Sequence, residues 1–258
     1  MNLMNKILFP IFLVVIISSC NSSEEKKEKS TVAEDTLSKV LDVRDTITFT
    51  IEPIDENYYC KQTKGMGYCL GPKDKPMTFE QDSVMIVKLM ENHKDIIFRK
   101  GDELIVKAKT GDLKFKSNVN TDGDDYLQYQ LREVNGVFVT LMVLYYESFE
   151  YMIINLETGK SFKTWGRPVF NKEKNMAIAG NYDLVAQFTT NGIQLFGQDE
   201  NGWDLKMQKY LDDWGPEDMF WLNDSVILSK KNVLDETDSI DGTRTEFVKI
   251  MLKKEKVN

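Results

Sequence analysis

Few residues in this chain of 258 have the types and spacing that chemistry requires. Its only histidine, His93, stands in Glu91-Asn92-His93-Lys94-Asp95, with no serine or cysteine nearby to form a nucleophile–base pair. A single histidine also removes His-pair metal sites. Oxygen ligands gather in Thr121-Asp122-Gly123-Asp124-Asp125 and in Asp235-Glu236-Thr237-Asp238-Ser239-Ile240-Asp241-Gly242. Calcium wants six to eight oxygens. A loop starting at Asp122 would have to end on Glu133, without the aspartate spacing between them that such a loop needs. Aspartates of this kind ordinarily cap and bend turns. Asp212-Asp213 and Glu217-Asp218 flank Trp214, which resembles paired carboxylates beside a sugar platform. Glycoside cleavage needs two carboxyls roughly 5–9.5 Å apart across a cleft, a distance that neighbours on a turn do not establish. Trp203, Tyr210, Trp214 and Trp221 form an aromatic set that would either stack on a glycan or fill a core. The expectation is no catalytic residue, no resident metal and no cofactor, with those four aromatics as the candidate ligand surface.

The N-terminus carries the most specific signal. Lys6 precedes an apolar run from Ile7 to Ile17, which ends in Ile17-Ser18-Ser19-Cys20. Eleven helical residues span about half of a ~30 Å hydrocarbon core, a length that suits a signal peptide better than a membrane span. The ending resembles the bacterial lipobox. The resemblance implies that residues 1–19 are a signal peptide and that Cys20 carries lipid, diacylated on sulfur and acylated on its amine. It places the protein at the cell envelope, anchored in the outer membrane on its periplasmic or surface face. The polar stretch Asn21 to Ser30 reads as the start of a flexible tether, so residues 20–45 are lipidated Cys plus tether. Within it, Thr31 to Val43 places Val32, Leu37, Val40 and Leu41 roughly on one helical face. The acidic pair Glu24-Glu25 also resembles the surface-export signal of some lipoproteins. With Cys20 lipidated, Cys60 and Cys69 remain, and an even remainder in an exported chain points to a disulfide. The alternative is a thiol pair at a metal or redox site.

Composition narrows the partners. Net charge is −8 and becomes −9 once Lys6 leaves with the signal peptide, so nucleic acid is a poor partner. Hydrophobic residues at 41% can build a core, which excludes wholesale disorder.

The elements that must position any site read as strands. Thr46 to Ile51 and Leu127 to Arg132 alternate with period 2, and Val137 to Tyr146 is apolar enough for a strand buried on both faces. Further short runs are 96–98, 104–108, 151–156, 176–179, 184–188, 193–196, 226–228 and 247–252. Asn135-Gly136, Asn191-Gly192, Asn201-Gly202, Asp122-Gly123 and Asp241-Gly242 are turn pairs that accept positive φ, which favours antiparallel hairpins over βαβ units. The stretch from Thr78 to Met90 is ambiguous. Thr78-Phe79-Glu80-Gln81 matches a helix capping box, whereas Val84, Ile86 and Val87 favour strand.

Trp165-Gly166-Arg167-Pro168-Val169-Phe170 and Trp214-Gly215-Pro216-Glu217-Asp218-Met219-Phe220 begin alike, 49 residues apart. Each precedes a short apolar strand. With the Ile153–Lys160 strand and turn, which looks like an inner blade hairpin, this half resembles β-propeller repeats. The expected fold of residues 46–258 is one all-β domain of antiparallel sheets, propeller-like with four or five blades, or a β-sandwich. The expected function is a non-catalytic, membrane-anchored lipoprotein that binds a protein or glycan partner. A carbohydrate-active hydrolase using acidic residues and an immunity or inhibitor lipoprotein are the alternatives.

Overall fold

The computed structural model describes residues 46–64, 79–121, 123–235 and 242–255. The lipobox with Cys20, the stretch 20–45 with its expected helix, and Cys69 lie outside these residues. Residues 43–258 form one compact unit that holds every buried cluster described below.

Among the described residues, the unit shows four antiparallel sheets taken up in chain order, none closed into a barrel, and two helices. Strand β1 (Thr46–Pro53) is followed by α1 (Glu56–Gln62) and α2 (Phe79–Asn92). Sheet I is β2 (Ile97–Lys100), β3 (Glu103–Ala108) and β4 (Gly111–Lys116). Sheet II is β5 (Gln128–Asn135), β6 (Phe138–Leu144), β7 (Phe149–Asn155) and β8 (Ser161–Thr164). Sheet III is β9 (Val169–Phe170), β10 (Met176–Asn181), β11 (Gly192–Asp199) and β12 (Gly202–Tyr210). Sheet IV is β13 (Trp214–Asn223), β14 (Val226–Leu234) and β15 (Thr243–Glu255), with β1 added outside β15. Thr46 pairs with Glu255 and Pro53 with Val248, so the first strand of the domain is zipped onto the last.

Each sheet packs on the next, as blades of a propeller do. Ile97, Leu104 and Val106 of sheet I meet Leu131, Val139, Leu141 and Ile154 of sheet II. Phe138 and Ile153 of sheet II meet Ala177, Phe196 and Trp203 of sheet III. Ile178, Ile193 and Leu195 of sheet III meet Trp221, Ile227, Val248 and Ile250 of sheet IV. Sheets II and III are thus covered on both faces, which is why Val137 to Tyr146 is apolar at successive positions rather than alternating. At the ends, Tyr59 of α1 is fully buried against Phe247 of β15, with ring centroids 5.1 Å apart. Helix α2 settles the ambiguous stretch as helical. Its β-branched residues are outvoted by tertiary anchoring, because Asp82 accepts two 2.7 Å bonds from Arg132 of β5 and Leu89 and Met90 join the apolar cluster between sheets I and II.

The Trp-Gly echo marks equivalent places: Trp214 opens β13, and Trp165 leads into β9. The glycines recur because there is no room for a Cβ. One on Gly166 would run into the backbone oxygen of Gly180, and one on Gly215 into Asn191 and Tyr182. Four sheets are described, at the lower end of the expected count.

Three details differ from the sequence reading. The Ile153–Lys160 hairpin joins β7 to β8, at the far edge of sheet II from the cleft described below, so it is an outer hairpin. Asn191-Gly192 is not a tight turn but the start of β11, where Trp165 and the Lys209 carbonyl leave no space for a side chain at Gly192. Residues 184–188 are a loop instead of a strand. The Asp183 carboxylate there accepts bonds from the backbone of Gln187 (2.8 Å) and Thr189 (2.7 Å), wrapping the chain round itself, with Gln187 at φ 57°.

That loop has a pH signature. Burial alone would push the Asp183 carboxyl up, but the Thr189 and Gln187 hydrogen bonds favour the carboxylate more, and its pKa lies below the ordinary value. A depressed folded-state pKa stabilises above the unfolded value of ~3.9 and stops doing so as pH falls through the folded value. The protection of the Gln187 and Thr189 amides, measured against their intrinsic exchange rates at each pH, should therefore fall as the solution is taken well below pH ~4, whereas in Asp183→Asn it is low throughout. Equal protection of the wild-type amides across that range would contradict this account.

Candidate functional site

A cleft of about 650 Å³ is walled by β5, by the Arg167–Lys172 segment containing β9, and by β13. These are the first strands of three consecutive sheets. Two β-bulges shape it. In β5 the pairing with β6 skips between Leu131 and Glu133, leaving Arg132 as the extra residue. Leu131 and Val134 both pack into the cluster between sheets I and II although three residues apart, which strict alternation forbids. The bulge resets the alternation, turning Arg132 to α2 and leaving Glu133 on the cleft wall. In β13 the pairing skips between Pro216 and Met219, so Glu217 and Asp218 together oppose Lys230 of β14. Met219 and Trp221 then return to the core, while both carboxylates line the cleft.

Each acidic group has a polar partner. Arg167 lies 3.5 Å from Glu133 with its side chain 65% exposed, which leaves most of the guanidinium open to a ligand. Lys230 pairs with Asp218 at 2.9 Å, and Asn232 donates to Glu217 at 3.5 Å. Burial opposes the charge on Lys230, but the bond to Asp218 and the charge of Glu217 outweigh it, so Lys230 stays protonated beyond the usual lysine range. The nearby Tyr182 phenol is also pushed up, first by burial and then by Glu217 and Asp218, so it stays a neutral donor. Phe170 and Phe220 supply half-buried aromatic surface. Trp221 anchors the floor by donating its Nε1–H to the Val169 carbonyl at 2.7 Å. Charged pairs, amides and aromatic edges in one cleft suit a ligand rich in hydroxyl, amide or ionic groups.

The aromatic set expected to form a ligand surface is not brought together. Trp203 is 5% exposed and packs on Phe138, Trp214 is 6% exposed, and Trp221 is 8% exposed. Burying one indole contributes about 4–6 kcal/mol at ~25 cal/mol per Å², so tertiary packing recruits these rings. Tyr210 alone is open, 64% exposed beside Trp165. Asp212 and Asp213 are exposed and do not line the cleft. His93 sits half-buried in the turn after α2, where its carbonyl accepts from Ile96 and Ile97. Among the described residues, no group of three or more His, Cys, Asp or Glu is placed to hold a metal ion. Much of 235–242 lies outside them, as does Asp122. Arg167, Glu133 and Lys230 were missed as site residues. Only the shared Trp-Gly motif ahead of Arg167 and Pro216-Glu217-Asp218 could have pointed there.

Cys60 lies in α1, whose first turn is capped by Asp55. Its expected partner Cys69 lies outside the described residues, so the disulfide stands as an expectation. Non-reducing mass of the mature protein should be two protons short, and reduction should cost roughly 2–3 kcal/mol of stability. Two thiols that alkylate without reductant would remove the bridge.

Comparison with protein-family models, with curated proteins and with solved structures finds no match to this chain.

Proposed function

We propose that this chain is a lipid-anchored protein of the cell envelope whose β domain is a binding module, taking a protein or glycan partner in the cleft between β5, β9 and β13. The observation that supports it best is Arg167, held beside Glu133 with its guanidinium open at the cleft, opposite the Glu217–Asp218 bulge. Arginine in this setting forms charge-assisted, directional bonds to carboxylate, phosphate or amide oxygens. Ion pairs on both walls hold the groups in place before the ligand arrives, which lowers the cost of binding.

A photo-crosslinking residue at Asn135, on the cleft wall, tests the reading in intact envelopes. One specific species should be captured by the wild-type background, and its yield should fall at least about tenfold with Arg167→Glu, the loss expected when a partly desolvated charge is reversed. A species captured equally by both, or none at all, would remove the cleft as the binding site. If the captured species were a glycan cleaved on incubation, the hydrolase alternative would take precedence.

A further inference from the structure

Beyond the cleft, sheet I has an outer face with an unusual charge. Residues 94–116 hold seven Lys and Arg against four carboxylates in a chain whose net charge is −8, leaving −11 for the remainder. The inner face of this sheet is spent on the core, through Ile97, Leu104 and Val106. Side chains alternate across a strand, so the other face takes Phe98 and Lys100 from β2, Glu103, Ile105 and Lys107 from β3, and Asp112, Lys114 and Lys116 from β4. The register sets them in rows: Lys100, Glu103 and Lys116 across one, Phe98, Ile105 and Lys114 across the next, then Lys107 opposite Asp112.

All four lysines are exposed. Among the described residues, none has a carboxylate within ion-pair distance, in contrast to Lys109, Lys163, Lys206, Lys230, Lys231 and Lys249, which are all paired. Lys107 lies over the Phe98 ring at 5.3 Å, and Ile105 is only 5% exposed beneath this layer. Lysine stems can cover apolar surface while the charged heads stay in water, and Lys100, Lys114 and Lys116 are exposed beside that pair. The face thus carries four exposed lysines against two carboxylates, Glu103 and Asp112.

We propose that this lysine face of sheet I docks on an anionic membrane surface, with phospholipid phosphates as the groups recognised. A sheet face with several separate, exposed point charges suits a headgroup surface, which offers many phosphates at no fixed spacing. The negative charge elsewhere does not prevent this. Screening limits its reach to roughly 8 Å in physiological salt, so the lysine face acts locally and the opposite charge orients the domain. The choice of a membrane as occupant rests on the lipid-anchor reading, whereas the test below contains no anchor, so the two can fail separately.

The compact unit of residues 43–258 is mixed with vesicles of phosphatidylethanolamine containing about 30% phosphatidylglycerol, and separately with phosphatidylcholine vesicles, and sedimented. Expected is binding to the anionic vesicles alone, weakened about tenfold or more by Lys→Ala at 100, 107, 114 and 116 together, and by raising salt from about 50 to about 300 mM. The same four positions changed to Arg should bind as wild type, and so should Lys253→Ala with Lys254→Ala on sheet IV. The proposal is overturned if the wild-type domain ignores anionic vesicles, if the fourfold alanine variant binds as well as wild type, or if the sheet IV variant loses as much.

Discussion

Gly166→Ala should cost about 3 kcal/mol or more, lowering the melting temperature by roughly 6–12 °C for a domain of this size. The cause is geometric. A Cβ on Gly166 would overlap the backbone carbonyl of Gly180, which cannot rotate away as a flexible side chain would. Gly180 has no slack either, because its own free side is filled by Pro216 and Met219 of β13. Relief would mean shifting β10 against β13 and opening the packing of Ile178, Trp221 and Ile227 between sheets III and IV. The control is Gly197→Ala. There a Cβ would meet Lys206 Cγ at 3.4 Å and nothing closer, so the change should stay within about 1 kcal/mol. Thermal and urea unfolding of the two variants decides it, and equal stability would mean that the strands are not as close as described.

The second large effect concerns the anchor. Replacing Cys20 with alanine should abolish acylation and move the protein from the membrane to the soluble fraction after processing, or leave it as an uncleaved precursor. Each buried methylene contributes ~0.8 kcal/mol, so two or three acyl chains together hold a protein almost irreversibly, and losing them is close to all-or-none. Among the described residues no helix is long and apolar enough to span a bilayer. The mature wild-type protein should carry the mass of the lipid on its N-terminal residue. A Cys20→Ala protein processed and retained as wild type would sink the lipobox reading. The lysine face of sheet I is too weak an attachment to mask the result at high salt.

Both effects bear on how far the sequence could be read. The Trp-Gly pairs at 165 and 214 were legible as an echo, and each stands at the first strand of a sheet, Trp165 just ahead of β9 and Trp214 opening β13. The steric reason for the glycine at 166 was not legible, because the atom that excludes a Cβ belongs to Gly180, on β10, 14 residues later. Strands with clear periodicity were found, β1 and β5 among them, and β6 was found from its continuous apolar run. Strand β4, Gly-Asp-Leu-Lys-Phe-Lys, was overlooked, since its outward positions are charged and its inward ones only half-buried, and strand β12 because most of its positions are polar and Trp203 alone is buried.

What the sequence alone determined is local. Alternation, Asn-Gly and Asp-Gly turns and an aromatic, apolar composition require antiparallel sheets, since these signals act between neighbours a few residues apart. The site is different in kind. Glu133 and Arg167 are 34 positions apart, one on β5 and the other ahead of β9, and Asp218 meets Lys230 across a bulge that no local pattern announces. The same holds for the tryptophans, whose burial depends on which sheet packs against which. Only the tertiary structure decided these, because face, register and partner are settled when whole sheets stack and the energy of burying an indole or pairing a charge is shared among distant residues.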